Sequence, residues 1–307
     1  MDVSVIIVNY NTKELTQRCI DSVFELTKGI SFEVILVDNA STDGSKEQFE
    51  NDGRITYIYS DKNLGFGRAN NLGYAHAQGE YLFLLNSDTY LVNNAIYMLW
   101  KKMKEFYDKD ETRNIVCTGT MLLDSDGNTV HSYARFPTKW RSLLKSSIFP
   151  ILWKLHILKK LPDTSNYGYN EGEKEWFDVE YITGADLMIR KSAADRYGLF
   201  DPDFFMYSEE TEMQHRYMKE GLRRVICEGP KIVHLEGMSN KNHSPKRTTM
   251  VMRSVFLYYK KTCSQFTYGV YSIVFKSIYS LTYMLTFPFI NGKSADKLRH
   301  IRAVIAM

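Results

Sequence analysis

Three groups of residues in this chain have the types and spacing needed for chemistry. Asn86-Ser87-Asp88 follows the apolar run Tyr81–Leu85 directly. A carboxylate at the end of a buried strand can ligate a divalent cation, and Mg²⁺ or Mn²⁺ typically takes one or two carboxylates plus substrate phosphate oxygens. Such a cation neutralises charge building on a diphosphate leaving group; an Asp in this position also serves as a turn or helix cap. Glu209 and Glu210 open a predicted helix. Acidic side chains complement a helix N-terminus, and a positioned carboxylate can equally remove the proton of an attacking hydroxyl. His234 ends the short apolar run KIV. Alone it reads as structural; beside Asp88 at another strand end it becomes a candidate second metal ligand.

The elements that must position these groups are legible in the first hundred residues. Val3–Val8 and Val34–Val37 are runs rich in β-branched apolar residues, the pattern of strands buried on both faces. Ile55–Tyr59 and Tyr81–Leu85 make a third and fourth strand. Between the first two, Asn11 precedes Glu14 by three residues, a capping-box-like start, and Leu15, Cys19, Val23 and Leu26 follow at helical spacing. Alternating strands and helices predict an α/β fold with a Rossmann-like, mostly parallel central sheet flanked by helices. In such sheets ligands bind beyond the carboxyl ends of the strands. Four of those ends carry Asn9-Tyr10-Asn11, Asp38-Asn39, Asp61-Lys62-Asn63 and Asn86-Ser87-Asp88. One such cluster is a turn. Four in succession at one sheet edge suggest a polar site.

Further along, Val116–Leu123 predicts a strand leading into the turn Asp124–Gly127, and Gly184–Ile189 another. A helix is expected from Glu210 to Glu220, with Gly221 as its C-cap, then a short strand at Lys231–Val233. Beyond about residue 244 the chain reads as helical and aromatic. A domain over 1–240 and a helical extension over 241–307 follow from this reading. NLGFGRANNLG is not a dinucleotide fingerprint, because it follows the third strand and the first turn, NYNTKE, has no glycine.

Composition narrows the class. The 307 residues are 44% hydrophobic with a net charge of +3, which argues against a dedicated nucleic-acid binder. Four cysteines without CxxC or zinc spacing read as reduced thiols. The opening VSVIIV follows no basic n-region, so a cytoplasmic protein is expected. Residues 139–161 mix six Lys/Arg with Trp140, Trp153 and aliphatics, as an interfacial helix does, or an amphipathic helix packed on the sheet. Residues 266–290 are apolar and aromatic but carry Lys276, Pro288 and six Ser/Thr, which fits a surface-seated or core helix better than a bilayer crossing. Peripheral association with the cytoplasmic membrane face is the expectation.

Taken in order, VSVIIVNYN, LVDNASTDGS, NLGFGRANNLG, GEYLFLLNSD and GADLMIRK…FDPDFFMYSEE…VHLEGMS closely resemble family 2 glycosyltransferases of the GT-A fold, nearest to the rhamnosyltransferase-like branch, over roughly residues 2–240. The resemblance implies a metal-dependent, inverting transfer of a sugar from a nucleotide-diphosphate donor (dTDP-rhamnose or a UDP-sugar) to a glycan or lipid-linked acceptor in cell-surface polysaccharide biosynthesis. It implies that Asn9, Tyr10, Asn63, Gly65 and Asn70 border the donor pocket and that Asp38 hydrogen-bonds the base. Asn86-Ser87-Asp88 stands in the DXD-type metal motif, with Asp88 the direct ligand and His234 completing the site for Mg²⁺ or Mn²⁺. Glu210, beside Glu209, falls where the family has its catalytic carboxylate. Three positions depart from the pattern: Asn86 for Asp, Glu210 for Asp and Glu212 for Asp. The first two leave a rival open, a nucleotide-sugar-binding protein that has lost catalysis.

Overall fold

The computed structural model describes residues 1–146, 165–168, 172–235, 245–286 and 304–306. Two compact units divide the chain: Met1–Arg135 with Thr164–Phe205 and Glu209–Lys241, and Phe136–Asp163 with Met206–Ser208 and Asn242–Met307. Of the stretch that linear reading puts in the first domain, the described helix Lys139–Ser146 falls in the second unit.

In the first unit the expected strands form at β1 (Val3–Asn9), β2 (Phe32–Asn39), β3 (Thr56–Ser60) and β4 (Tyr81–Asn86), with α1 (Lys13–Leu26), α2 (Ser45–Phe49) and α3 (Phe66–Tyr74) between them. There follow β5 (Thr89–Leu91), α4 (Ala95–Asp108), β6 (Ile115–Thr120), β7 (Tyr133–Ala134), α5 (Lys139–Ser146, of the second unit), β8 (Trp176–Asp178), β9 (Tyr181–Ile182), β10 (Asp186–Arg190), α6 (Lys191–Tyr197), α7 (Glu209–Lys219), β11 (Arg223–Cys227) and β12 (Ile232–His234). Eight strands make one sheet in the order β3-β2-β1-β4-β10-β6-β11-β8, and β12-β5 and β7-β9 make two small ones. The β3-β2-β1-β4 half is wholly parallel. The parallel pattern breaks at β10, which enters between β4 and β6 antiparallel to both.

Alternate residues of each central strand enter opposite cores. Val5 and Ile7 pack with Cys19, Ile20 and Val23 of α1 and Leu99 and Met103 of α4. Ile6, Leu82 and Leu84 pack with Ala193 and Ala194 of α6 and Met213 and Tyr217 of α7. Each fully buried aliphatic contributes about 1.5–3 kcal/mol, which is why unbroken Val/Ile/Leu runs become central strands. On the second face α3 lies flush on the sheet, since a Cβ added at Gly73 would stand 2.6 Å from Ile6 Cγ2.

Two local expectations change. No capping box forms at α1: Asn11 is left-handed (φ +54°) and its Oδ1 accepts from Thr42 N–H. The first N–H groups go instead to side chains distant in the chain or at the strand end, Lys13 to Asp43 (2.9 Å) and Thr12 to Asn9 (3.2 Å). Orphan donors at a helix start accept whichever oxygen the fold delivers. The strand expected over Val116–Leu123 ends at Thr120, and Leu123 bridges to Thr129 and Val233. Gly221 closes α7 at φ +75°, its N–H bonded to Met218 C=O.

The second unit contains α5 and two longer helices, α8 (Pro245–Thr262) and α9 (Gln265–Thr286). Phe256, Tyr259, Tyr271 and Phe275 form its aromatic core. Residues 147–161 and 287–290 of the apolar segments noted above lie outside the described residues.

Candidate active site

Register brings the polar strand ends together. Asn9 stands opposite Asp38, Val8 opposite Asn86 and Asn39 opposite Ser60, so β1, β2, β3 and β4 deliver their clusters to one edge. Asp88 follows the end of β4 in a turn braced by Thr89 Oγ1, which donates to Asn86 C=O (2.7 Å). The hairpin-like pair β5–β12 then sets His234 opposite Thr89. Leu235 N–H donates to Asp88 C=O (2.9 Å) and His234 N–H to Leu123 C=O (2.8 Å). The backbone ladder thereby places His234 Nε2 3.3 Å from Asp88 Oδ1, both side chains largely buried. A hard carboxylate oxygen and an imidazole nitrogen this close suit a small divalent cation with phosphate oxygens in its remaining positions. Among the described residues no group of three or more His, Cys, Asp or Glu gathers for a metal.

Glu210 reaches the same edge from the other half of the chain. Asn86 N–H donates to Ala185 C=O (2.9 Å), tying the 86–88 turn to the start of β10. The neighbouring Gly184 leaves room for α7: a Cβ there would lie 3.3 Å from the Phe66 ring and 3.8 Å from Glu210 Cβ. Gln214, fully buried, clamps Ile182 through both its N–H (2.8 Å) and C=O (2.7 Å), and donates to Glu210 C=O (3.1 Å). Arg216 joins Glu212 to the carbonyls of Gly198 and Leu199, fixing the helix to the preceding loop. Burial pushes the Glu210 carboxyl above its ordinary range, against backbone N–H bonds at Glu210 and Thr211 that hold it down. Glu209 is buried and points elsewhere: Gly67 of α3 faces its Cβ and Cγ, at 3.5 Å from the position a Cβ would take.

The residues expected to border a donor pocket divide into exposed and internal. Tyr10 is 48% exposed. Asn9 is fully buried, and its Oδ1 accepts from Thr12 N, Thr12 Oγ1 and Thr16 Oγ1 while Nδ2 donates to Ser41 Oγ. Thr12 Oγ1 in turn shares a hydrogen with Ser87 Oγ (3.0 Å). Asn9 therefore braces the α1 start and, through Thr12, the turn at Ser87. Asp38 accepts from Tyr57 Oη (2.9 Å) and Ser41 N–H (2.8 Å). Asn63 Oδ1 takes Asn39 Nδ2 and Gly65 N–H, closing a turn. Asn70, also buried, donates back to Phe66 C=O within α3. Gly65 sits at φ +82°, where a Cβ would fall 1.9 Å from Phe205 O. The glycine admits the 200s loop, which is held by Phe66 N–H to Phe205 C=O (2.8 Å).

Sequence reasoning passed over Asp186. It lies in β10 with no exposed surface, and its Oδ2 accepts Thr120 N–H (2.7 Å). Burial pushes its carboxyl up to about 7, offset in part by Thr120 and by the charge of nearby His234. The signal was present as a lone carboxylate inside the apolar run ADLMI. Two open surface depressions, one lined by Arg18 and Tyr90 and the other by Tyr97 and Glu175, include none of the candidate residues.

Residues 4–155 match the Glycosyl transferase family 2 model. The chain belongs to glycosyl transferase family 2. It is 27% identical over 234 residues to the low-salt glycan biosynthesis hexosyltransferase Agl10 of Haloferax volcanii, covering 76% of this chain and 67% of that protein. It is 25% identical over 226 residues to the N-acetylglucosaminyl-diphospho-decaprenol L-rhamnosyltransferase of Mycobacterium tuberculosis, covering 70% and 68%. Two longer curated relatives are matched over only 18% and 19% of their length. Among solved structures, the mannosyltransferase PcManGT of Pyrobaculum calidifontis, in complex with GDP-Man and Mn²⁺, superposes with a TM-score of 0.56 at 14% identity, covering 99% of this chain and 80% of that one. At that identity the likeness establishes the GT-A fold and nothing finer.

Proposed function

We propose that this family 2 glycosyltransferase moves a sugar from a nucleotide-diphosphate donor, dTDP-rhamnose or a UDP-sugar, to a hydroxyl of a glycan or lipid-linked acceptor, with inversion, in cell-surface polysaccharide biosynthesis. The observation that carries the reading is the Asp88–His234 pair, 3.3 Å apart at the strand ends and joined through Asn86 and Ala185 to the loop beside Glu210. The names of the two relatives, a hexosyltransferase of glycan biosynthesis and an L-rhamnosyltransferase named for N-acetylglucosaminyl-diphospho-decaprenol, support the substrate class. A membrane-borne acceptor of that kind calls for an enzyme attached peripherally to the cytoplasmic membrane face.

In this reading Glu210 is the general base. Its burial raises proton affinity, which suits a carboxylate that must accept a hydroxyl proton as the oxygen attacks. One C–O bond forms at the anomeric carbon while the bond to the diphosphate breaks on the opposite face, so the configuration inverts. A divalent cation, Mg²⁺ or Mn²⁺, held by Asp88 and His234 would neutralise the departing diphosphate. Asn86 in place of an acid leaves that site one negative charge poorer. The extra methylene of Glu210 moves the base outward by about 1 Å, a distance able to cost on the order of 100-fold unless the acceptor is seated to match.

A panel of nucleotide sugars headed by dTDP-rhamnose and UDP-sugars tests the reading, scored for nucleotide release with Mn²⁺ and with chelator. Metal-dependent release that falls on the order of 100-fold or more in Glu210→Gln is expected. Donor binding by the wild-type protein without turnover of any panel member would establish the degenerate binder instead.

A further inference from the structure

α9 has two apolar faces. At 100° per residue, Tyr271 and Phe275 lie on one side. Both are buried, Tyr271 against Tyr259 (ring centroids 4.5 Å) and Phe275 edge-on to Phe256 (4.7 Å), and Tyr271 Oη shares a hydrogen with Ser142 Oγ of α5 (2.8 Å). The opposite side carries Phe266, Val270, Ile273, Leu281 and Met284, spaced by three, four or eight residues. Phe266 is 82% exposed, Ile273 and Met284 69%. A surface helix buries its apolar stripe and turns a polar face to water. Here the core-facing stripe is already satisfied, and a second one, about 27 Å long at 1.5 Å per residue, meets solvent. An exposed apolar stripe of this length, interrupted midway by Ser277, marks a binding surface.

Charge selects the occupant. α8 and α9 together hold six Lys and Arg and no Asp or Glu. Across the whole sequence of their unit, sixteen Lys and Arg face two Asp and no Glu, whereas the rest of the chain has 23 basic and 34 acidic residues. Two copies meeting through this face would bring like charges together. Nucleic acid would answer the charge and leave the apolar stripe in water. No helix among the described residues is long and apolar enough to cross a membrane. An anionic lipid surface answers both features, taking the stripe among its acyl chains and the lysines at its headgroups.

We propose that α9 lies in the plane of an anionic membrane interface, with Phe266, Val270, Ile273, Leu281 and Met284 inserted and Lys260, Lys261 and Lys276 at the headgroup level. Each basic residue near such a surface strengthens binding by about fivefold. Attachment is a property of the second unit and does not depend on the transfer chemistry.

Flotation of the full chain with vesicles tests this, using phosphatidylcholine alone and phosphatidylcholine mixed with phosphatidylglycerol. The protein should float with the mixed vesicles only, and added salt should lower the bound fraction. Ile273→Asp/Leu281→Asp should reduce binding at least tenfold with an unchanged thermal midpoint and unchanged nucleotide release from a free donor. Should that variant fail to fold, Lys260→Glu/Lys261→Glu, which keeps the apolar stripe, should reduce binding at least tenfold by charge alone. Failure of the wild-type chain to float with either vesicle overturns the proposal and leaves nucleotide release untouched. So does a dimer in solution that Ile273→Asp/Leu281→Asp converts to monomer, which would assign the stripe to a second copy.

Discussion

Truncating Asn9 separates a bracing side chain from a ligand-binding one. Asn9 Oδ1 receives three donors at 2.9–3.2 Å in a site with no exposed surface. In Asn9→Ala the two threonine hydroxyls can re-pair, since Thr12 Oγ1 already lies 3.3 Å from Thr16 Oγ1 and 3.0 Å from Ser87 Oγ. Thr12 N–H at the start of α1 has no such recourse, and a stranded buried donor costs about 1–3 kcal/mol. Adding roughly 1 kcal/mol for the space left behind gives an expected loss of about 3 kcal/mol. Urea unfolding followed by far-UV circular dichroism measures it. Titration of the folded variant with nucleotide diphosphate and Mn²⁺ should then give a dissociation constant within about threefold of wild type, under 1 kcal/mol. The opposite outcome, stability within about 0.5 kcal/mol of wild type with donor affinity down tenfold or more, would make Asn9 a direct donor ligand and refute the reasoning.

Three further outcomes are expected. Gly65→Ala must leave φ +82° or displace the Phe205 carbonyl, so it should destabilise by about 2–4 kcal/mol in chemical denaturation; a loss below about 1 kcal/mol would contradict the close approach. Asp186 carries a raised proton affinity in the fold, to about 7 against about 4 in the unfolded chain, so its favourable contribution is complete below pH 4 and is lost as pH rises through 7. Asp186→Asn should therefore gain on wild type between pH 5 and pH 8, by an amount on the order of 2–4 kcal/mol, and equal differences at both pH values would sink the assignment. His234→Ala should weaken Mn²⁺ binding in the presence of nucleotide diphosphate by tenfold or more, the scale that even an outer-shell partner commands. Isothermal titration at fixed pH reads that change, and an unaltered affinity would remove His234 from the metal site.

Much of the frame was legible before any coordinates. Runs such as VSVIIV and LFLL can satisfy themselves only as strands covered on both sides, and the polar residues that stop them must then meet at one edge. Asp88 and Asp38 stand at that edge. The residues that stabilise those ends were less legible. Asn9 and Asn70 read in their motifs as residues bordering a pocket; that both are buried and hydrogen-bonded inside the fold could not be read there, because an amide's partners, Ser41 and Thr16 for Asn9, are chosen by the folded backbone and leave no periodic trace. The cap of α1 is likewise supplied by Asp43, thirty residues on, rather than by the local box.

Strands β1 to β4 with their intervening helices, the family and the polar edge are all encoded in local periodicity or in contiguous motifs. The antiparallel run of β10 with its buried Asp186, the fit of Gly65 to the Phe205 loop and the second, solvent-facing apolar side of α9 arise only in the folded chain. These depend on which surfaces meet across long separations in the chain. Hydrophobic pattern says that a residue must be covered, and it does not say by what.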